Sequence, residues 1–314
     1  MRFAAVLVCL LAGTAHAQSW PSKPIRFIVS FPPGGSADLI ARSIAPKLSE
    51  KLGQQVVVEN RPGAGGNIGV DAVAKSAPDG HTIGLAAAGA MSVNQSLYPT
   101  MPFDPQKDLA PISMLALIPF LLVAHPSQPP TLAEVLHGAM TKPIAYGHGG
   151  NGSAMHLSGE LLKMMTNSPL IPVAYKGSGP VATDVLGGQV PLGIVDVPSA
   201  LANVKAGKIR ALAVTTKQRI SAMPDVPTFE EAGVPGYESI GWFGAVAPAS
   251  TPQEVLARLN REIGAALAIP DVRDKAIAAG CEPAANSPQE FAAFIRDEAR
   301  KWGDVIQKAG VKIQ

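Results

Sequence analysis

Residues 25–38 read Ile25-Arg26-Phe27-Ile28-Val29-Ser30, then Phe31-Pro32-Pro33-Gly34-Gly35-Ser36-Ala37-Asp38. The first six form a β-type run. The next eight form a Pro/Gly turn, which opens onto a helical pattern with Ile40, Ile44 and Leu48 on one face. Strand, turn and helix N-terminus therefore follow one another directly. Unpaired backbone N–H groups collect at such a junction, and the helix dipole adds partial positive charge. That makes an anion site without any Lys or Arg. A plain βα turn is the competing reading. A second junction of the same kind at Gly147–Ser153 favours the anion site.

Outward from this unit, strand-like runs alternate with helical patterns. Gln55–Glu59 is a strand, Asn60–Gly69 a glycine-rich turn, Val70–Lys75 a short helix and Thr82–Ala86 a strand. Leu121–Ala124 follows. A second series runs through strand Pro143–Tyr146, turn Gly147–Gly152 and helix Ser153–Met165. Strand Val173–Tyr175, helix Gly179–Leu186 and strands Leu192–Val195 and Arg210–Val214 complete it. Continuous apolar runs joined by helices predict parallel strands buried on both faces. Thr251-Pro252-Gln253-Glu254 and Ser287-Pro288-Gln289-Glu290 read as capping boxes that start two C-terminal helices. Pro46 removes the bond to the Arg42 carbonyl, so a kink or an early end is expected in the first helix. The pattern predicts two α/β lobes with a cleft between them. Both glycine turns lie at carboxyl ends of strands, where open α/β sheets bind ligands.

Residues 1–17 read as a secretory leader, with Arg2, an apolar stretch Phe3–Ala12 and the small-x-small site Ala15-His16-Ala17. Cleavage near Ala17 would leave Cys281 as the only cysteine, an inert core thiol in a chain long enough to need no disulfide. A net charge of +2 and the lack of a basic run argue against nucleic acid. Aromatics at 5% do not favour a ring-lined sugar groove.

Gly147-His148-Gly149-Gly150-Asn151-Gly152 fits G-x-G-x-x-G. The acid that a dinucleotide site wants after the next strand is missing from Ile171–Tyr175. There is no phosphate loop and no G-x-S-x-G elbow. His81, His125, His137, His148 and His156 have neither i, i+4 pairing nor a neighbouring Cys, so no metal is expected. His148 is either a solvated turn residue or a polar group facing the cleft. Ser36, Ser153, His156 and Asp196 lack a spacing that would mark a triad. Ser36 and Ser153 read as helix-start residues whose hydroxyls cap or touch a ligand. Asp38 suits the helix dipole as a structural acid. Asp196 either meets a ligand donor or caps the helix at Pro198.

Phe31–Gly35, Val58–Gly66, Ala77-Pro78-Asp79-Gly80, Gly150–Ser153 with His156-Leu157, Tyr175-Lys176-Gly177, Leu186–Gln189, Lys205–Val214 and Pro224–Thr228 follow one another along the mature chain. Together and in this order they resemble the periplasmic solute-binding proteins of tripartite tricarboxylate transporters, the Bordetella uptake gene family. The resemblance implies an α/β, two-lobed type II periplasmic-binding fold that closes on a small carboxylate. It divides the chain into lobe 1 (18–120 with 243–314) and lobe 2 (121–242), with crossings near Pro119–His125 and Gly236–Ala245. Family members hold the carboxylate mainly by backbone amides of the two turns. Carried over, those positions are Gly34, Gly35, Ser36, Asn151, Gly152 and Ser153, with Asp196 lining the cleft. Asn67 and His156 are added as further ligand-binding positions. His148 departs from the family pattern and would change pocket size and charge.

The expectation is a periplasmic, monomeric, non-enzymatic capture protein without a cofactor. Its partners would be an organic carboxylate and a membrane permease. Two alternatives stay open: presentation of the ligand to a membrane sensor, and a periplasmic hydrolase.

Overall fold

The computed structural model describes residues 20–278 and 280–311. The leader read over residues 1–17 lies outside them. The chain opens with β1 (Ile25–Val29), α1 (Ser36–Leu52), β2 (Val56–Asn60), α2 (Asn67–Ala74), β3 (Thr82–Ala87), α3 (Asn94–Leu97) and β4 (Leu109–Ile118). It continues through β5 (Phe120–Ala124), α4 (Leu132–Ala139), β6 (Ile144–His148), α5 (Ala154–Thr166) and β7 (Leu170–Ala174). Then come α6 (Ser178–Leu186), β8 (Leu192–Asp196), α7 (Val197–Lys205) and β9 (Arg210–Val214). β10 (Gly241–Pro248), α8 (Gln253–Leu267), α9 (Pro270–Ala278), β11 (Glu282–Pro283) and α10 (Pro288–Ala309) complete it. Among the described residues these form a six-stranded sheet, β11-β4-β10-β3-β1-β2, and a five-stranded sheet, β7-β6-β8-β5-β9.

The strands are not all parallel, which corrects the sequence expectation. β1 runs parallel to β2 and β3, whereas β10 runs antiparallel to β3 and β4. In the second sheet β6 is parallel to β7 and β8, whereas β5 is antiparallel to β8 and β9. The reason is topological. Only Pro119 separates β4 in one sheet from β5 in the other. Phe120 at the start of β5 and Gly241 at the start of β10 both line the interlobe cavity. Each sheet is therefore entered from the cleft, and the entering strand runs against those that end there. A Cβ on Gly241 would stand 2.8 Å from the Phe120 ring, so the two crossings lie side by side.

One face of the first sheet packs under α1, α8 and α9 through Ile40, Ile44, Leu48, Leu259, Ile263 and Val272. The opposite face takes Phe291 and Ile295 of α10. Further along the same helix, Trp302, Val305 and Ile306 join Leu157, Leu192 and Tyr237 in the core of the second sheet. α10 thus spans both cores.

The early end allowed for at Pro46 and the cap expected at Thr251 are both absent. α1 runs unbroken through Pro46 to Gly53, whose φ of 72° closes it by a bond from its amide to the Ser49 carbonyl. Pro46 is exposed, so the Arg42 carbonyl it leaves unpaired can turn to water. Thr251 does not cap α8. The N-cap is Pro252, without a side-chain bond, and the buried Thr251 hydroxyl has no partner. Ser287 and Glu290 do form a capping box on α10, and Thr131 with Glu134 forms another on α4.

Candidate functional site

Between the sheets lies a cavity of about 610 Å³. Its polar wall is made by the chain just before and within the first turns of α1 and α5. Gly35, the N-cap of α1, is extended and contributes no side-chain cap, so the amides of Ser36 and Ala37 lack intrahelical partners. In α5 the N-cap Ser153 accepts from the His156 amide, which leaves the Ala154 and Met155 amides unbonded in the same way. Six of these seven residues, all but His156, line the cavity. A third helix start joins them: Gly177 and Ser178 also line it, and α6 has no side-chain cap. No Lys, Arg or His lines the wall, and Asp196 is its one formal charge among the described residues.

The turns are built alike from behind. Gly34 has φ 85° and Gly152 has φ 75°, a region that favours glycine. The Gly34 amide donates to Asp38 Oδ2 at 2.9 Å, and the Gly152 amide donates to His156 Nδ1 at 3.1 Å. Asp38 also accepts from Arg42 Nε at 2.9 Å and from Asn60 Nδ2 at 2.9 Å. Burial alone would raise the Asp38 pKa. The hydrogen bonds from Arg42, Gly34 and Asn60, with the Arg42 charge, hold the carboxyl below its usual range. A backbone N–H can only donate, so His156 Nδ1 is an acceptor and its neutral ring carries the proton on Nε2. Burial, then the Lys163 charge, pushes the His156 pKa down to about 4. His148 stacks on His156 with ring centroids 4.3 Å apart, and burial followed by His156 pushes it to about 4 as well.

Of the residues expected from sequence, Gly35, Ser36, Asn151, Gly152, Ser153 and Asp196 line the cavity. Gly34, Asn67, His148 and His156 do not line it: Gly34 is exposed, and the other three are buried. His148 is fully buried beneath the glycine turn, which corrects the solvated reading; its ring meets Gly150. His148 therefore supports the turn from beneath. Asn67 accepts from Asn94 Nδ2 at 2.7 Å, and it is Asn94 that reaches the cavity. Asp196 caps α7 by accepting from the Ser199 amide at 3.1 Å while its residue lines the wall. Cys281 is buried beside the site and hydrogen-bonds with Ser36. Burial and the Asp196 charge push its thiol up to about 12, as an inert thiol requires. Sequence reasoning missed the apolar side of the cavity: Phe31 and Phe243, with rings 5.7 Å apart, together with Ile118, Phe120, Met155 and Trp242. It also missed the start of α6, although Tyr175-Lys176-Gly177 precedes a helix as the other two turns do.

Chemically, the site can surround an oxyanion with backbone donors from both sheets and cover the rest of a small molecule with rings and methyl groups. Among the described residues no group of three His, Cys, Asp or Glu could hold a metal ion. No helix among them is long and apolar enough to cross a membrane.

The family model for the "Tripartite tricarboxylate transporter family receptor" matches residues 40–311. The chain is similar to a solved structure from R. palustris with adipate: 38% identity, TM-score 0.82, covering 93% of this chain and 99% of that one. It is similar to the periplasmic binding protein BugD at 33% identity and TM-score 0.79, covering 94% of this chain and 100% of that one. It is also similar to MatC from Rhodopseudomonas palustris with bound malate, at 31% identity and TM-score 0.77. That match covers 91% of this chain and 100% of that one.

Proposed function

The chain belongs to the tripartite tricarboxylate transporter receptor family, and from that premise we propose that it captures a small organic carboxylate in the periplasm for delivery to membrane transporter subunits. Members of this family are binding receptors and not enzymes, so the hydrolase alternative is dropped. The observation that carries the proposal is the polar wall, where the first residues of α1 and α5, whose amides lack helical partners, line one cavity without a cationic side chain. Charge-assisted hydrogen bonds contribute about 1.5–3 kcal/mol each. Three to five of them, less the costs of closure and immobilisation, reach the roughly −8 kcal/mol of micromolar binding. Lobe 1 (18–120 with 243–314) and lobe 2 (121–242) would close as a hinge at the paired crossings, with the chain acting as a monomer.

A thermal-shift screen of dicarboxylates, tricarboxylates, acidic amino acids and aromatic acids tests this. A ligand at 100 times its dissociation constant adds about 2.7 kcal/mol of stability. At least one acid should shift melting while its neutral amide does not. Equal shifts for acid and amide would count against anion recognition.

A further inference from the structure

We propose that Asp38 and His156 are matched positioning residues, one in each lobe, that each tie back the glycine amide of their own turn and so fix which amides face the ligand. The inference rests on the carboxylate-binding reading above.

The two turns superpose as a pattern. Gly34-Gly35-Ser36-Ala37-Asp38 and Gly152-Ser153-Ala154-Met155-His156 each begin with a glycine at positive φ. An extended cap follows in each, at φ −81°, ψ 172° for Gly35 and φ −68°, ψ 157° for Ser153. Three residues past the cap, a side chain bonds back to the glycine amide. In a capping box the third residue reaches the cap's own amide. Here it reaches one residue further. Oδ of Asp and Nδ1 of His stand the same number of bonds from Cα, so two chemically different side chains fill one geometric role. Neither brings uncompensated negative charge behind the anion. Asp38 is paired with Arg42, and His156 accepts through a neutral ring. Both are buried, so they act through the turn and do not touch the ligand.

The substitutions that separate acceptor from bulk are His156→Phe and His156→Asn. Phe keeps a ring against His148 and removes the acceptor. Asn places Oδ1 where Nδ1 stood and gives up the ring. Adipate and malate serve as probes, with binding measured by calorimetry and melting measured alongside. His156→Phe should weaken binding about tenfold or more, as the freed turn lets the amides that face the ligand drift from hydrogen-bonding position. His156→Asn should stay near wild type in affinity although it melts lower. Affinities that follow the melting temperatures of the two variants would overturn the proposal.

Exchange of the Gly152 amide decides the matter without a ligand. It should be protected in the wild type and in His156→Asn, and fast in His156→Phe. Equal protection in all three would overturn the positioning role. If the wild type bound neither probe, that would tell against the choice of ligand class, and the exchange result would still judge His156.

Discussion

Proline at the first position of a helix removes one N–H and little else, and this isolates the donors on which binding is argued to depend. Ser36 and Ala154 are the first residues of α1 and α5. Proline's φ of about −65° suits that position, and the N–H it lacks has no helical partner there. The preceding residues, Gly35 at ψ 172° and Ser153 at ψ 157°, already hold the extended conformation that a following proline demands. Stability should therefore change by less than about 1 kcal/mol, and a gain is the expected direction, since proline narrows the unfolded ensemble. Affinity should fall by about 1.5–3 kcal/mol for each variant, roughly 10- to 150-fold in Kd. Ala154→Pro is the cleaner of the two because no side-chain polar group is lost. Ser36→Pro also removes the hydroxyl that meets Cys281, so Ser36→Ala is its control. Titration calorimetry with the carboxylate giving the largest thermal shift, together with urea melts, measures both quantities. Wild-type affinity in a folded Ala154→Pro would refute the reasoning for lobe 2, and likewise for Ser36→Pro in lobe 1.

The stacked imidazoles make stability depend on pH. Both have folded pKa values of about 4 against the ordinary 6.5. The unfolded chain thus binds more protons between these values, and stability present above pH 6.5 is lost as pH falls towards 4. The loss is up to about 3 kcal/mol per ring. Urea melts at pH 7 and 4.5 should show it, and a variant lacking both rings should show less of it; a pH-independent difference would refute the assignment. Gly159→Ala should cost at least about 1–3 kcal/mol, because the new Cβ would meet the buried Tyr146 ring at 2.2 Å. Wild-type melting in that variant would show that the helix can shift. Ser287→Ala should cost about 1 kcal/mol through loss of its cap, while Thr251→Val should be near neutral or stabilising, since its hydroxyl is buried without a partner. Equal costs in the two would restore Thr251 as a cap.

Much of this architecture is legible in the chain because it is written locally. The run Ile25–Ser30 and the faces Ile40, Ile44 and Leu48 need only periodicity, and Ser287 with Glu290 needs only spacing. Strand direction is different. Whether β5 and β10 run with or against their neighbours depends on entry from the cleft, which no local pattern records. Pro46 and Thr251 carried correct propensities, but tertiary placement decided both outcomes: Pro46 faces water and Thr251 is buried without a helix to cap. The polar half of the site follows from strand–glycine–helix junctions. The apolar half does not, since Ile118, Phe120, Trp242 and Phe243 look like ordinary core residues and are brought to the cavity only by the paired crossings. His148 reads as a turn residue by its neighbours and is instead the floor beneath the turn.

A crystal structure of the protein with its tightest carboxylate tests the central claim most directly. The account predicts carboxylate oxygens within hydrogen-bond reach of at least one α1 amide among Ser36 and Ala37, and of at least one α5 amide among Ala154 and Met155. A carboxylate gripped chiefly by lysine or arginine, or seated outside the interlobe cavity, would contradict it.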